Sequence, residues 1–514
     1  MTFESQPLSP PSDGLSALIT AGFFVGSLWI LGSVAYALFL SPLRRIPGPP
    51  LARFTRLWEL WALRQGRYNE RLISLHRQHG PVVRLAPNRF SFDRAADMKK
   101  IYSISGSFEK ANFYHSWSDP KRENLLSIQD EKRHAQQRRP IAQLYTMTAV
   151  LSYEEAVDKM SAVFTEKLGA LVHSKETFAL PRFCQLYAFD VIGQITMDTD
   201  FGMMESNGDT TGVLKTVERF TNYAVQMGMV PELHRPVFAL LMFIQPPFAR
   251  VLTNVINSTI DKFRKRTRGG QSSFEPFLSK LLALEEKGKV DELSMMNVVG
   301  ANINAGSDTT GVTLSATFYH LYRNPDKLRK LRDEIDAFAR DGRASDPVTF
   351  AEAQAMPYLQ AVVKEVLRMH PAVSVILPRT VPKGGVELGG HFFPAKAEVG
   401  CSAWPLHYNP QEVDRPREFR PERWLETEHE AASRSSQAVN FAFGAGSRTC
   451  LGKNISLLEI SKLVPQVVRS FDVQIHGASD SMETDAGWFV WPRYTCRVES
   501  RSQARSRDVG VEDM

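Results

Sequence analysis

Cysteine is scarce in this chain: four residues in 514, at Cys184, Cys401, Cys450 and Cys496. They stand far apart, with no CxxC or other metal-ligand spacing, which excludes a disulfide framework or a zinc module and fits a reducing compartment. Basic residues form no long block and the formal charge is a modest +6, which argues against nucleic acid as a partner. No internal repeat or low-complexity segment stands out before a polar tail from about Glu499. Entry points for several common chemistries are also missing. There is no HExxH for a zinc protease and no GxSxG for a serine hydrolase, and Gly452-Lys453 lacks the preceding glycine of a phosphate loop. The stretch GAGSRT superficially matches a dinucleotide loop, but its third glycine is absent and no βαβ repeat surrounds it.

What is present begins at the N-terminus. LSALITAGFFVGSLWILGSVAYALFL, Leu15 to Leu40, carries no charge, and as a helix it would reach about 39 Å, enough to cross a bilayer. It lacks the basic start, short apolar core and cleavage site of a signal peptide. Arg44, Arg45, Arg53 and Arg56 follow it, so the positive-inside rule keeps the rest of the chain cytosolic. The expected organisation is a lumenal start over 1–14, a transmembrane anchor over 15–40, and a basic, proline-rich hinge over 41–60 around IPGPP. One large body over 61–498 follows, then a polar tail over 499–514 expected to be disordered.

At 43% hydrophobic and 23% charged residues the body can bury a sizeable core. VVRLA and RFSFD, joined by Pro87-Asn88, predict an early hairpin. From about Ala95 to Met369 the apolar periodicity is mostly helical, and short strand patterns follow near residues 384–395. The class is mainly α with a minor β portion. One pattern, Ser294 to Asn324, predicts a helix about 45 Å long. Its middle, ANINAGSDTTG, holds Gly300, Gly306 and Gly311 beside Asp308, Thr309 and Thr310. Mid-helix glycine costs about 1 kcal/mol against alanine. The sharper reading is a helix opened locally so that something small sits beside Thr309; the plainer one is a solvent-facing kink.

FGAGSRTCLG, Phe443 to Gly452, sets Cys450 in a glycine loop two residues after an arginine. It fits FxxGxRxCxG, and on these residues the chain resembles the cytochrome P450 family of haem-thiolate monooxygenases. The resemblance implies the P450 fold with one N-terminal transmembrane helix and haem b as cofactor, with Cys450 as the thiolate ligand of its iron. Phe443 would shield the sulfur. Gly446 and Gly452 would turn backbone amides toward it and let the chain pass under a flat macrocycle. Arg448 would meet a haem propionate and help keep the sulfur ionised. KEVLR and PERW would supply a structural charge triad, Glu365, Arg368 and Arg423. The family often has phenylalanine where Trp424 stands. AGSDTT resembles the oxygen-activating segment, in which Asp308 relays protons and Thr309 hydrogen-bonds the oxygen being reduced. HAQQR places His134, where the family usually has tryptophan, one turn before Arg138, and ILPRT supplies Arg379; all three are implied propionate partners.

The implied reaction inserts one atom of dioxygen into a substrate and releases the other as water. Electrons would come from a separate NADPH–cytochrome P450 reductase, with cytochrome b5 as an optional second donor, docking near Lys132, Arg133 and Lys453. The endoplasmic reticulum membrane is the implied location. Substrate contacts are placed by position at Phe108, Phe113, Trp117, Phe220, Ala305, Val375, Ile376, Trp488 and Phe489, with Tyr223, Met227 and Val373 nearby. Mostly apolar, they suggest a bulky hydrophobic molecule. SFEKANFYHSW and DEKRHAQQRRPIAQLYTMT are similar to one filamentous-fungal branch, the pisatin demethylase-like enzymes. The expected role is therefore secondary-metabolite (mycotoxin) biosynthesis, the alternative being phytoalexin or xenobiotic demethylation. A haem sensor without turnover is a remote third reading, against which the Asp308–Thr309 pair argues.

Overall fold

A computed structural model describes residues 13–104, 108–244, 251–266, 274–425, 439–477 and 482–501. Residues 1–12 of the expected lumenal start and 502–514 of the expected tail lie outside the described residues, and the first helix begins at Asp13, inside the expected start. The helices that position the site are α1 (Asp13–Ala35), α2 (Glu131–Ala142), α3 (Leu180–Met197), α4 (Val213–Met229), α5 (Glu292–Tyr322), α6 (Pro357–Met369) and α7 (Lys453–Ser470). The chain is mainly helical with a minor β portion, as its periodicity indicates.

From α1 the chain runs on through a π-helical turn, Tyr36–Leu40. Thr20–Leu40 is a 21-residue span of mean hydropathy 2.0 with none of it buried against the protein, compatible with a membrane anchor.

The strands are few and short. β1 (Val82–Ala86) and β2 (Arg89–Phe92) form the expected hairpin. Together with β3 (Glu109–Lys110), β4 (Arg379–Thr380) and β7 (Glu398–Cys401) they make a sheet in the order β1-β2-β7-β4-β3. β5 (Val386–Leu388) and β6 (His391–Phe393) make a separate hairpin. β8 (Phe471–His476) pairs with β11 (Thr495–Ser500), and β9 (Glu483–Ala486) with β10 (Val490–Arg493). The tail boundary needs correcting. Glu499 and Ser500 complete β11, and Arg501 Nη2 pairs with Asp336 at 2.6 Å.

The long helix is real but is not opened in its middle. α5 runs 31 residues, capped at its start by Asp291, whose carboxylate accepts from Ser294 N at 2.6 Å, and it ends just before Pro325. Its glycines serve helix packing. A Cβ on Gly306 would lie 2.7 Å from Ile192 Cγ1, and one on Gly311 3.0 Å from Gln185 Cα. Both neighbours belong to α3, so the glycines let two buried helices approach closely. That replaces both the local opening and the solvent-facing kink as their explanation.

The sheet is tied to the helical part by an ion network that the sequence pattern hides. Arg89, 1% exposed, donates from Nε to Glu398 at 2.7 Å and from Nη1 to Glu59 at 2.8 Å. Tyr68 OH also donates to Glu59, at 2.8 Å. Arg89 Nη2 reaches the carbonyl of Gly228, 3.2 Å away in the last turn of α4. Removing one partner of a buried pair leaves the others charged and unpaired, at a cost of about 3–5 kcal/mol. Arg89→Met should therefore lower stability by about 3–5 kcal/mol in urea unfolding of the solubilised protein. A loss below about 1 kcal/mol would show that the carboxylates find other partners.

Candidate active site

Glycine sets the turns of the Cys450 loop. Gly444 and Gly446 have φ of 68° and 70°, and a Cβ on Gly446 would collide with the carbonyl oxygen of Tyr102. Conformation and space both demand glycine there. A 3-10 turn, Gly446–Arg448, follows, and Cys450 N donates to Phe443 O at 3.0 Å, closing the loop on itself. Phe443 is half-buried, its ring 5.7 Å from Lys453 Nζ.

Of the four cysteines only Cys450 is accessible. Protein nevertheless surrounds it densely enough that burial is the largest influence on its thiol and raises its pKa. Hydrogen bonds from the Gly452 and Lys453 amides, with the charges of Arg138 and Lys453, pull the other way. The foremost cations at the sulfur are Arg138 and Lys453, in place of the expected Arg448. The Arg448 guanidinium turns to Glu131 at 2.9 Å and to the carbonyls of Ile128 and Gln129 at 2.9 Å each.

The implied propionate partners do come together. His134, Arg138, Arg379 and Arg448 act on one another, joined by Lys110. Burial first, then these cations, push His134 down to about 3, so its imidazole is neutral. Among the described residues, Glu131 is the carboxylate that acts on this group. Arg138 donates to a neutral oxygen, Thr449 O, at 2.8 Å. Buried positive charge in excess of its counter-charge calls for an anion. A macrocycle with two carboxylates on one edge, above an accessible cysteine in a glycine loop, fits that donor set.

On α5, Ala301 and Ala305 are exposed and Thr309 is half-buried, a line one turn apart along the middle of the helix. Thr309 Oγ1 donates to Ala305 O at 2.7 Å. Asp308 faces elsewhere: 3% exposed, it accepts from Gln185 Nε2 of α3 at 2.6 Å. Burial raises its carboxyl to about 6 against the opposing hydrogen bond of Gln185. The acid and the alcohol are thus neighbours in sequence but point to different sides of the helix. Thr310 Oγ1, 3.0 Å from Ser456 Oγ, pins α5 to α7, the helix that leaves the cysteine loop.

Support for the loop comes from α6. Glu365 and Arg368 are fully buried, and Arg368 donates from Nε and Nη2 to the two carboxylate oxygens at 2.9 and 2.8 Å. Arg423 Nε adds a bond of 3.0 Å. Trp424 is no neutral replacement for phenylalanine, because its indole N–H donates to Glu365 at 2.9 Å. Although burial acts to raise it, Arg368 and Arg423 hold the Glu365 carboxyl below its ordinary range.

Sequence reasoning missed His407, which connects this clamp to the cysteine loop. One ring nitrogen, Nδ1, is 2.8 Å from Arg368 O; the other, Nε2, accepts from Phe441 N at 2.9 Å. Burial pushes His407 down to about 4, so the ring is neutral with Nδ1 as the donor. A lone histidine carries no spacing signal that could have announced this.

The expected substrate residues mostly meet in one cluster. Phe113, Trp117, Val375, Ile376, Trp488 and Phe489 pack together, with Phe220 against them. Trp117 and Trp488 have ring centroids 4.4 Å apart, and Phe113 stacks on Trp488 at 6.1 Å. Val373 also packs there and pairs with Phe489. Phe108 does not join them. It packs with Val82, Phe90 and Phe393 and borders the recess of Arg379 and Arg448. Tyr223 OH is 2.9 Å from His234 Nδ1, bonding within its own helical region.

His407→Leu strands a buried carbonyl and a buried N–H, at about 1–3 kcal/mol each. The variant should purify with less cofactor per chain and melt at a lower temperature than wild type, by haem absorbance and calorimetry. Unchanged cofactor content with only a lowered melting temperature would separate His407 from the loop.

Comparison with known proteins agrees with this geometry. The family model "Cytochrome P450" matches residues 47–499. The chain is 42% identical over 489 residues to a pisatin demethylase of Fusarium vanettenii, covering 94% of this chain and 92% of that one. It is 32% identical over 478 residues to the cytochrome P450 monooxygenase cicH of Emericella nidulans, covering 90% and 94%. A similar match, 31% over 489 residues covering 92% and 96%, is to the cytochrome P450 monooxygenase gsfF of Penicillium aethiopicum. The family implies a haem-iron cofactor, a redox partner, dioxygen and a small-molecule substrate. The chain belongs to the cytochrome P450 family, as a fungal haem-dependent monooxygenase of the pisatin demethylase-like branch.

Proposed function

We propose that this monooxygenase inserts one oxygen atom into a bulky hydrophobic small molecule of fungal secondary metabolism, mycotoxin biosynthesis included. The observation that supports it is the aromatic cluster of Phe113, Trp117, Phe220, Trp488 and Phe489, which offers flat apolar faces and few polar groups. Ala305, exposed on α5, completes the proposed pocket.

In this reading Cys450 ligates the iron of haem b, and that group supplies the redox chemistry by which dioxygen is activated. His134, Arg138, Arg379 and Arg448 hold its carboxylates, and Phe443, Gly446 and Gly452 shape the loop beneath it. Thr309 Oγ1 presents the proton that it now donates to Ala305 O. Asp308, with its pKa raised by burial to about 6, both accepts and releases protons near neutral pH. Gln185 orients the Asp308 carboxyl, and its own Oε1 accepts from the exposed Arg182 at 2.6 Å, so Asp308 is held on the α3 side of α5.

The remaining proposals concern surroundings. The enzyme sits on the endoplasmic reticulum membrane in this proposal, with the body over 61–498 facing the cytosol, a reading with which the apolar span Thr20–Leu40 is compatible. Electrons come from NADPH–cytochrome P450 reductase, with cytochrome b5 as an accessory donor. Lys132, Arg133 and Lys453 are all exposed, and Arg133 is paired with Glu123 at 2.5 Å. They offer positive charge to a negative flavoprotein surface.

A second reading, oxidative O-demethylation of a plant defence compound or xenobiotic, is favoured by the 42% identity to pisatin demethylase against 31–32% for the other two relatives. Comparative mass spectrometry of strains with and without the gene separates the two. Biosynthesis predicts a lost product and an accumulated precursor one or more oxygens short of it. An unchanged profile, with formaldehyde released from methoxylated plant compounds in the presence of NADPH and reductase, supports demethylation. Absence of NADPH consumption above background with every compound tried would favour the haem-sensor reading.

A further inference from the structure

Trp117 closes a 3-10 helix, Asn112–Trp117, in the segment between β3 and α2. Its main chain is fixed, because Trp117 O accepts from Asn124 Nδ2 at 2.9 Å. Its ring is held as well, tilted on Trp488 at 4.4 Å and perpendicular to the ring of Phe220 at 6.4 Å. Yet the indole N–H is buried and meets no acceptor among the described residues. Carbonyls of the residues packed around it are already engaged. Ser116 Oγ donates to Phe113 O and Ala224 O at 2.9 and 2.7 Å. Ser374 N donates to Trp488 O at 2.9 Å, and Ser374 Oγ donates to Gly487 O. An unpaired buried donor is unfavourable until an acceptor meets it. Packing alone would be served by phenylalanine, which brings no orphan N–H.

We propose that Trp117 is a specificity-determining residue whose indole N–H binds an acceptor oxygen, a ring carbonyl foremost, on a flat aromatic substrate. The proposal rests on the reading of this aromatic cluster as the substrate pocket. An indole nitrogen only donates, so the group it selects is an acceptor. The rings of Phe113, Phe220 and Trp488 supply apolar faces for a planar ring system. Val312 of α5, three residues after Thr309, packs in the same cluster. A molecule anchored at the indole therefore lies beside the helix that carries Thr309. Because neighbouring rings already hold the indole in place, little side-chain freedom is lost when the bond forms. Such a pocket discriminates against the analogue that lacks the oxygen, since its own buried donor then stays unpaired.

The test titrates the detergent-solubilised holoenzyme with fluorenone and fluorene, planar probes that carry a carbonyl and a methylene at the same ring position. Binding is read from the compound-induced Soret shift and by equilibrium dialysis against the same detergent. A purely apolar pocket favours fluorene, because burying an unpaired carbonyl is unfavourable. The expected order is the opposite, with wild type binding fluorenone about tenfold more tightly, the worth of one hydrogen bond to a buried donor. Trp117→Phe should lose or reverse that preference. Phe220→Ala, which removes apolar contact alone, should weaken both probes alike and keep it. A fluorenone preference that survives Trp117→Phe would overturn the proposal. So would wild type that favours fluorene or binds the two equally; weakening of both probes in Phe220→Ala would then leave the pocket reading intact. Should Trp117→Phe be recovered without haem, the order in wild type decides: fluorenone first supports the donor, and any other order overturns it. Probes that fail to bind, or that bind unchanged in both variants, would overturn the pocket reading and the donor with it.

Discussion

Glu365 accepts hydrogen bonds from five donors: Arg368 Nε and Nη2, Arg423 Nε, Arg420 N and Trp424 Nε1. A fully buried carboxylate is tolerable only with such a complete set of partners. Once it is satisfied, its partners reach outward. Arg368 Nη1 takes the carbonyls of His407 and Pro416 at 3.2 and 2.8 Å, and Arg423 Nη1 takes that of Asp414 at 2.8 Å. The chain after β7 is thus fixed by Arg368 of helix α6 and by Arg423, and His407 hands the constraint on to Phe441. Glycines set the turns of the loop that carries Cys450; this chain of contacts holds the segment that leads into it, and the bonds of Arg448 to Glu131, Ile128 and Gln129 and of Arg138 to Thr449 hold the loop itself.

Charge at the site is divided into two kinds. Around Glu365 two guanidiniums share one carboxylate and take the carbonyls of His407, Pro416 and Asp414, so the polar groups there are satisfied within the chain without any ligand. Around His134 they are not: Lys110, Arg138, Arg379 and Arg448 face one carboxylate. The first arrangement suits a scaffold, and the second suits a place where an anion is received. The first reaches the segment ahead of the cysteine loop through His407 and Phe441, and the second meets the loop itself at Arg448 and Thr449.

Motifs of local spacing were legible in the sequence. The loop FxxGxRxCxG, the pair Glu365 and Arg368 on one helical face, and His134 with Arg138 one turn apart all fall on the elements their spacing predicts. What was illegible depends on partners far along the chain. Arg89 meets Glu398 across 309 positions, and nothing in RFSFD marks its first residue as buried. The glycines of α5 suggest a kink or an opening from sequence because their neighbour, α3, cannot be known from α5 alone. Asp308 and Thr309, adjacent in sequence, were read as one unit, yet a helix turns adjacent side chains about 100° apart. Lys110 faces Arg379 only through the β3–β4 register, which no local pattern announces.

The central claim is that Cys450, held in its glycine loop by the Glu365 clamp, is the thiolate ligand of haem iron. The most direct test is the reduced, CO-bound absorption spectrum of the purified protein beside that of Cys450→Ser. The account predicts the far-red Soret band of thiolate ligation in wild type and its loss in the variant. Persistence of that band in Cys450→Ser would contradict it.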